Sequence, residues 1–173
     1  MAMKLICLTG AESTGKSTLS TQLAQHYKCL SLPEYARIYL NEFGPEYNFN
    51  DLRKIAEEQH KRILDFSKSS LAIGFLDTDL LTLIIWSEYV FGKTDPYIQQ
   101  SFQKNRVDLY LLCNPDLVWE PDPLREHPTE RNRIHLIYKY ELKKRRLPFQ
   151  CIKGQGEERF SSALKIIENP KLF

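Results

Sequence analysis

Eight consecutive residues, Gly10-Ala11-Glu12-Ser13-Thr14-Gly15-Lys16-Ser17, carry the chemistry of a phosphate-binding loop. Two glycines let the backbone curl so that successive N–H groups point inward at a polyphosphate. A lysine follows to neutralise the outer phosphates, then a hydroxyl to hold Mg²⁺. Such a run has meaning only between a strand and a helix, and both are predicted here. Lys4 to Thr9 reads as a short buried strand. Thr18 to Tyr27 reads as a helix with Leu19, Leu23 and Ala24 on its buried side. The helix adds its positive N-terminal end to the anion site. Gly10, Ser13, Thr14, Gly15, Lys16, Ser17 and Thr18 are thus the expected nucleotide-binding residues, with a nucleoside triphosphate and Mg²⁺ as the expected ligands.

The elements that must position this loop alternate along the chain as strands and helices, the pattern of a parallel α/β sheet. Further strands are expected at about Cys29–Pro33, Leu71–Asp77, Val107–Cys113 and Phe149–Lys153. Helices are expected from Asp51, as cap, to about Lys68, with Leu52, Ile55, Ile63 and Phe66 as the apolar members. Others are expected at Leu80–Phe91, Tyr97–Gln103, Ile134–Arg146 and Glu157–Glu168. Five parallel strands with helices on both faces form a P-loop nucleoside-triphosphate hydrolase or kinase fold. The 173 residues suit one such domain, 1–173. Residues 114–129 contain Pro115, Pro121, Pro123 and Pro128, which rules out a regular helix or a central strand there. A loop of that length is usually functional, and a lid at about 114–133 is expected.

In an open parallel sheet, ligands bind beyond the carboxyl ends of the strands. Those ends offer Glu34 and Arg37 after the second strand, Asp77 and Asp79 after the third, and Trp119, Asp122, Arg125 and Arg131 after the fourth. Phosphoryl transfer needs a cradle, a carboxylate behind Mg²⁺, a group that orients the acceptor hydroxyl, and cations on the phosphoryl. Lys16, Asp77, Glu34, Arg125 and Arg131 are the expected catalytic set, and Ser17 with Asp77 the expected metal ligands. Asp77 and Glu34 are rivals for the acceptor's proton. Glu34, Arg37, Asp79 and Trp119 are the expected substrate contacts. Asp79 has a second reading as the cap of the helix that follows it. Trp119 is either a stacking platform for a flat ring or a pin for its loop. Arg133 is a weaker cation of the same kind as Arg37. Trp86, Tyr89, Tyr138 and Tyr140 lie at helical spacings and read as core.

Composition narrows the partners. The net charge is +2, and the one basic run, Lys143 to Arg146, ends a predicted helix, so no nucleic-acid partner is expected. No apolar run is long enough to span a bilayer. Cys7, Cys29, Cys113 and Cys151 form no C-x-x-C pair; each falls in a predicted strand and reads as a small buried residue. His26, His60, His127 and His135 show no metal spacing. With a strand beginning at Lys4 there is no secretory signal, and a reducing cytoplasm is the expected compartment.

The ordered blocks Gly10 to Thr18, Pro33 to Arg37, Phe75 to Asp79, Leu109 to Asp116 and Trp119 to Arg125 carry a resemblance over essentially the whole chain. Together they resemble the ribosylnicotinamide kinase domain at the C-terminus of bacterial multifunctional NAD-biosynthesis regulators, and its stand-alone ATPase-like relatives. The resemblance implies an ATP- and Mg²⁺-dependent transferase acting on the 5′-hydroxyl of nicotinamide riboside to form nicotinamide mononucleotide. It places Gly10, Gly15, Lys16 and Ser17 at ATP and Mg²⁺, Glu34, Asp77 and Asp79 at substrate and metal, and Trp119 with Arg125 at the substrate and lid. The regulators also carry a DNA-binding segment and a nucleotidyltransferase domain, whereas this chain begins at the kinase strand. Two other activities share the fold: a kinase for another nucleoside or nucleotide, and an ATPase switch. A guanine reader of the Asn-Lys-x-Asp type is absent from Asn114-Pro115-Asp116. Strand three ends in Asp-Thr-Asp and not the Asp-Glu of remodelling ATPases.

Overall fold

The computed structural model describes residues 3–169. In chain order the elements are β1 (Lys4–Thr9), α1 (Lys16–His26), β2 (Ser31–Leu32), α2 (Tyr35–Phe43), α3 (Phe49–Ser67), β3 (Ile73–Asp77), α4 (Leu80–Phe91), α5 (Pro96–Lys104), β4 (Leu109–Cys113), α6 (Arg131–Lys144), β5 (Phe149–Ile152) and α7 (Gly156–Ile167). The sheet runs β2-β3-β1-β4-β5 with every pairing parallel. This is the five-stranded, doubly wound P-loop fold that the alternation predicts. The strand order reverses direction at β1, so the loop after β1 opens at the switch point where such sheets bind ligands.

The central strands are apolar on both sides because helices cover both faces. Alternate residues divide between two cores. Leu5 and Cys7 of β1, Leu76 of β3, and Tyr110 and Leu112 of β4 face the core built with α3, α4, α5 and α6. Ile6, Leu8, Phe75, Leu109, Leu111 and Cys113 face the smaller core under α1 and α7. Leu19, Leu23 and Ala24 of α1 are buried there, as their spacing predicts. Among the described residues no helix is long and apolar enough to cross a membrane. All four cysteines are free; Cys29 lies just ahead of the two-residue β2 and not within a strand.

Local rules place most element ends. At α3 the cap is Asn48 and not Asp51. The Asn48 side chain accepts from the Asn50 N–H at 2.9 Å, and Asp51, three residues into the box, accepts from the Asn48 N–H at 2.9 Å. Helix α2 escapes the sequence reading because its start is satisfied from a distance. The Tyr35 N–H donates to Gln59 Oε1 of α3 at 2.8 Å, and Glu34 supplies no side-chain cap. Helix α6 begins at Arg131, so the irregular stretch after β4 ends at 130 and the last residues of the expected lid are helical. Tyr140 is no core residue: it is 61% exposed on α6.

Asp79 is also reassigned. It is 1% exposed, and its carboxylate accepts the Leu81 N–H at 3.1 Å, capping α4, and the Tyr110 hydroxyl at 2.7 Å. It therefore belongs to the interior and not to the substrate contacts. Thr78 before it adopts a left-handed conformation, φ 68°, which ends β3 abruptly and turns the chain into α4. Burial raises the Asp79 carboxyl to about 6, against the Tyr110 and Leu81 hydrogen bonds that favour the charged form. The folded protein thus keeps this proton to about pH 6, while an unfolded aspartate releases it near ~4. The contribution to stability is full below ~4 and is lost as pH rises through 6, an effect of about 3 kcal/mol. Asp79→Asn keeps an acceptor for the cap and removes the titration. Urea unfolding at a series of pH values is expected to show the wild type losing more stability than Asp79→Asn between pH 4.5 and 7; parallel profiles would refute the assignment.

Candidate active site

The phosphate loop is held in shape by its own backbone and by its neighbours. Gly10 has φ 133°, and a Cβ there would lie 2.8 Å from the Cys113 carbonyl oxygen, so only glycine lets β1 and the end of β4 approach this closely. Gly15, φ 73°, stands at the left-handed turn into α1, where a Cβ would meet Leu117 at 2.9 Å. The Thr14 hydroxyl donates to the Ala11 carbonyl at 2.8 Å, and Lys16 Nζ donates to the same oxygen at 2.7 Å. Lys16 is thus docked inside the loop, with its charge at the mouth of α1.

Sequence reasoning missed the residue that ties this loop to the sheet. Arg159 of α7 is 4% exposed and spreads its guanidinium over four acceptors. These are Asp116 Oδ1 at 2.7 Å, Gly154 O at 2.7 Å, Thr14 O at 2.7 Å and Asn114 O at 2.9 Å. Three ligand-edge segments, after β1, β4 and β5, meet on one side chain. Asp116 also accepts the Gly154 N–H at 2.9 Å. The only sequence signal was an arginine on the inner face of an amphipathic helix, which reads as a solvated charge until the fold shows what it faces.

The loop opens into a cavity of about 400 Å³. Gly10 to Thr18 line it together with Tyr47, Trp86, Tyr89 and Tyr138 and with Leu40, Leu52 and Ile134. Trp86 and Tyr89 therefore serve as pocket wall and not solely as core. Glu34 also lines the wall, just before α2. Burial pushes its carboxyl above the usual range, Lys16 opposes the rise, and Asp77 adds to it. Asp77, at the last position of β3, is 6% exposed and does not line the cavity; its Oδ1 is buried with no hydrogen-bond partner. Among the described residues no three His, Cys, Asp or Glu side chains gather into a metal cage.

The proline-bearing loop lies across the phosphate loop. Ser13 Oγ accepts from the Glu120 N–H at 3.0 Å and from Arg125 Nη1 at 3.3 Å; Arg125 also donates to the Glu120 carbonyl. Arg131 Nη1 donates to Ser13 O at 3.1 Å and Leu117 O at 2.9 Å. Arg37 lines the cavity but pairs with Asp122 of the loop at 2.9 Å. Trp119 does not line the cavity. Its ring lies under the guanidinium groups of Arg125 and Arg131, at 5.9 and 5.6 Å, so it packs the loop together and is no platform for a ligand in this arrangement. Arg133 sits apart, over Tyr89.

Removing the Arg159 guanidinium leaves Asp116 and three carbonyls without their shared donor. Arg159→Met is expected to cost about 3 kcal/mol in urea unfolding. Arg159→Lys should recover little, because an ammonium lacks the planar fork that reaches several acceptors at once. A loss near zero in both would refute the clamp.

Known proteins match this chain at the levels of sequence and fold. It is 27% identical to the trifunctional NAD biosynthesis/regulator protein NadR of Salmonella typhimurium over an alignment of 174 positions that covers 96% of this chain and 42% of that protein. The chain therefore spans less than half the length of that relative. Its fold superposes on a crystal structure of NadR in complex with NR with a TM-score of 0.81 at 22% identity, over 95% of this chain and 50% of that one. It superposes on thymidylate kinase from Ehrlichia chaffeensis with a TM-score of 0.70 at 16% identity, over 97% of this chain and 100% of that one. The resemblance read from the motif blocks is thus borne out. Residues 5–159 match the family described as an AAA domain, and the chain belongs to that family.

Proposed function

We propose that this chain is an ATP- and Mg²⁺-dependent small-molecule kinase that phosphorylates the 5′-hydroxyl of nicotinamide riboside, giving nicotinamide mononucleotide. The observation that carries the reading is one cavity lined by the phosphate loop, by an aromatic wall and by Glu34. An ATPase switch has no use for the aromatic wall. The similarity to NadR favours nicotinamide riboside among flat-ringed nucleosides. In this reading residues 1–173 act as one kinase domain, with the loop at about 114–133 as its lid.

The geometry supports the following roles. Backbone N–H groups of Ser13 to Thr18 cradle the phosphates, and Lys16 turns from the Ala11 carbonyl to the outer phosphates. Ser17 and Asp77 fit Mg²⁺: both offer oxygen, and Asp77 Oδ1 is buried without a partner. This ion takes only one or two protein ligands beside phosphate oxygens. When bound, Mg²⁺ neutralises charge on the transferring phosphoryl. Glu34, on the cavity wall with a raised pKa, accepts the proton of the acceptor hydroxyl, which leaves Asp77 to the metal. Arg125 and Arg131 exchange their Ser13 acceptors for phosphate oxygens, neutralising charge while the lid excludes water. Tyr47, Trp86 and Tyr89 hold the ring of the acceptor.

The direct test is ADP release from ATP and Mg²⁺ with nicotinamide riboside, against a panel of other nucleosides and nucleotides. Release confined to nicotinamide riboside, with equal nicotinamide mononucleotide formed, is the expected result. Release with a different acceptor would keep the kinase and replace its substrate. Release indifferent to every acceptor would leave only a hydrolysing switch. Lys16→Ala and Asp77→Asn are each expected to lower kcat by about 10²–10³-fold or more with the fold intact by circular dichroism.

Glu34 gives a pH signature. A base must be ionised, so activity falls as pH drops through its raised pKa, and the acid limb of kcat/KM should lie above the ~4.3 of an ordinary glutamate. Glu34→Gln should remove the limb together with most of the rate. An unchanged acid limb in that variant would assign the proton to another group.

A further inference from the structure

Two consecutive residues of the loop after β4 touch both the phosphate loop and the aromatic lining of the cavity. The N–H groups of Glu126 and His127 both donate to one oxygen of Glu12, at 3.0 and 3.2 Å, and Glu12 is part of the phosphate loop. The Glu126 carboxylate accepts the Tyr47 hydroxyl at 3.2 Å. The same hydroxyl accepts the Trp86 indole N–H at 2.6 Å, so it is spanned between the aromatic wall and the loop. The His127 ring packs against Trp86 and Tyr89, with centroids 5.6 and 5.1 Å away.

We propose that Glu126–His127 is a strap coupling the phosphate loop to the aromatic lining of the cavity, with Glu12 and Tyr47 as the positioning residues that anchor it. The phosphate-loop motif demands no acid at position 12; glycine spacing, lysine and hydroxyl suffice for its chemistry. What Glu12 does here is gather two successive backbone N–H groups on a carboxylate, a charge-assisted contact stronger than neutral hydrogen bonds. Tyr47 does the complementary work at the other end, because its hydroxyl has one hydrogen to give and gives it to the strap. Ordering a loop segment costs conformational entropy. An anchor formed on a segment that the other already orders avoids that cost, so the two contacts support each other although they lie on different elements. In the closed arrangement the ring pocket and the phosphate cradle are therefore shaped together, and loosening either anchor loosens both ends.

Hydrogen exchange on the ligand-free full chain tests the strap without any assumption about activity. Glu12→Ala is expected to speed exchange of the 120–127 amides about tenfold or more. Glu12→Gln, which keeps a neutral oxygen for the same two N–H groups, should recover part of that protection. Tyr47→Phe should speed the same amides severalfold. Glu126→Ala should do so as well, and as a change on an exposed loop it leaves the fold in place while removing the side-chain link to Tyr47 and a 3.8 Å approach to His127 Nε2. Exchange unchanged in both Tyr47→Phe and Glu126→Ala would overturn the proposal.

The kinetic arm rests on the kinase reading. With nicotinamide riboside and ATP, the strap predicts crossed effects. Glu12→Ala raises KM for the riboside, and Tyr47→Phe and Glu126→Ala raise KM for ATP, each severalfold. Variants that change only the KM of their own end would refute coupling. Exchange behaving as expected in a protein with no transfer to the riboside would keep the strap and refute the substrate.

Discussion

One buried guanidinium organises the ligand edge of this sheet. Arg159 reaches from α7 to the carbonyl of Thr14, to Asn114 and Asp116 beyond β4, and to Gly154 beyond β5. A parallel sheet aligns strand ends but leaves the loops that follow them to be fixed by other means. Arginine suits the task because its planar donors reach several carbonyls at once and never lose their charge. Holding the Thr14 carbonyl fixes the phosphate loop against the segments after β4 and β5.

The second constraint is the balance of charge across the cavity. Lys16 and Asp77 both lie close enough to Glu34 to act on its carboxyl. The lysine opposes the rise in the Glu34 pKa that burial causes, and Asp77 promotes it. Asp77 keeps an unpartnered buried oxygen at the end of β3, an arrangement that is costly unless a cation or an ordered water completes it. Asp79, two residues on, solves a different problem: it caps α4 and takes the Tyr110 hydroxyl, beneath the site and not in it. The strained Thr78 between them lets neighbouring carboxylates serve opposite sides of the turn.

The loop after β4 shows how cations can be stored. Arg125 and Arg131 rest on Ser13 atoms and on carbonyls of their own loop, with Trp119 beneath both. These acceptors are neutral, and the Asp122 carboxylate lies 4.0 Å from Arg125 Nε, so exchange of the neutral acceptors for a stronger one costs little. Glu12 holds the same loop from the phosphate side and Tyr47 from the ring side.

By itself the sequence determined the sheet, the phosphate loop and the order of the ligand-edge blocks, because these rest on local rules. Continuous apolar runs mark strands covered on both faces, Gly10 and Gly15 mark backbone turns that a side chain would block, and prolines forbid regular structure between β4 and α6. Tertiary structure decided whatever depends on a partner far along the chain. Helix α2 starts where Gln59 of α3 satisfies Tyr35, and no residue near Tyr35 announces it. Arg159 is a clamp because three loops converge on it. Trp86 and Tyr89, spaced like core residues, line a cavity because the neighbouring helices leave space beside them. Trp119, placed like a ligand platform, is covered by two arginines of its own segment. Side-chain type and spacing state what a residue can do; which of those things it does depends on the groups that packing brings within reach.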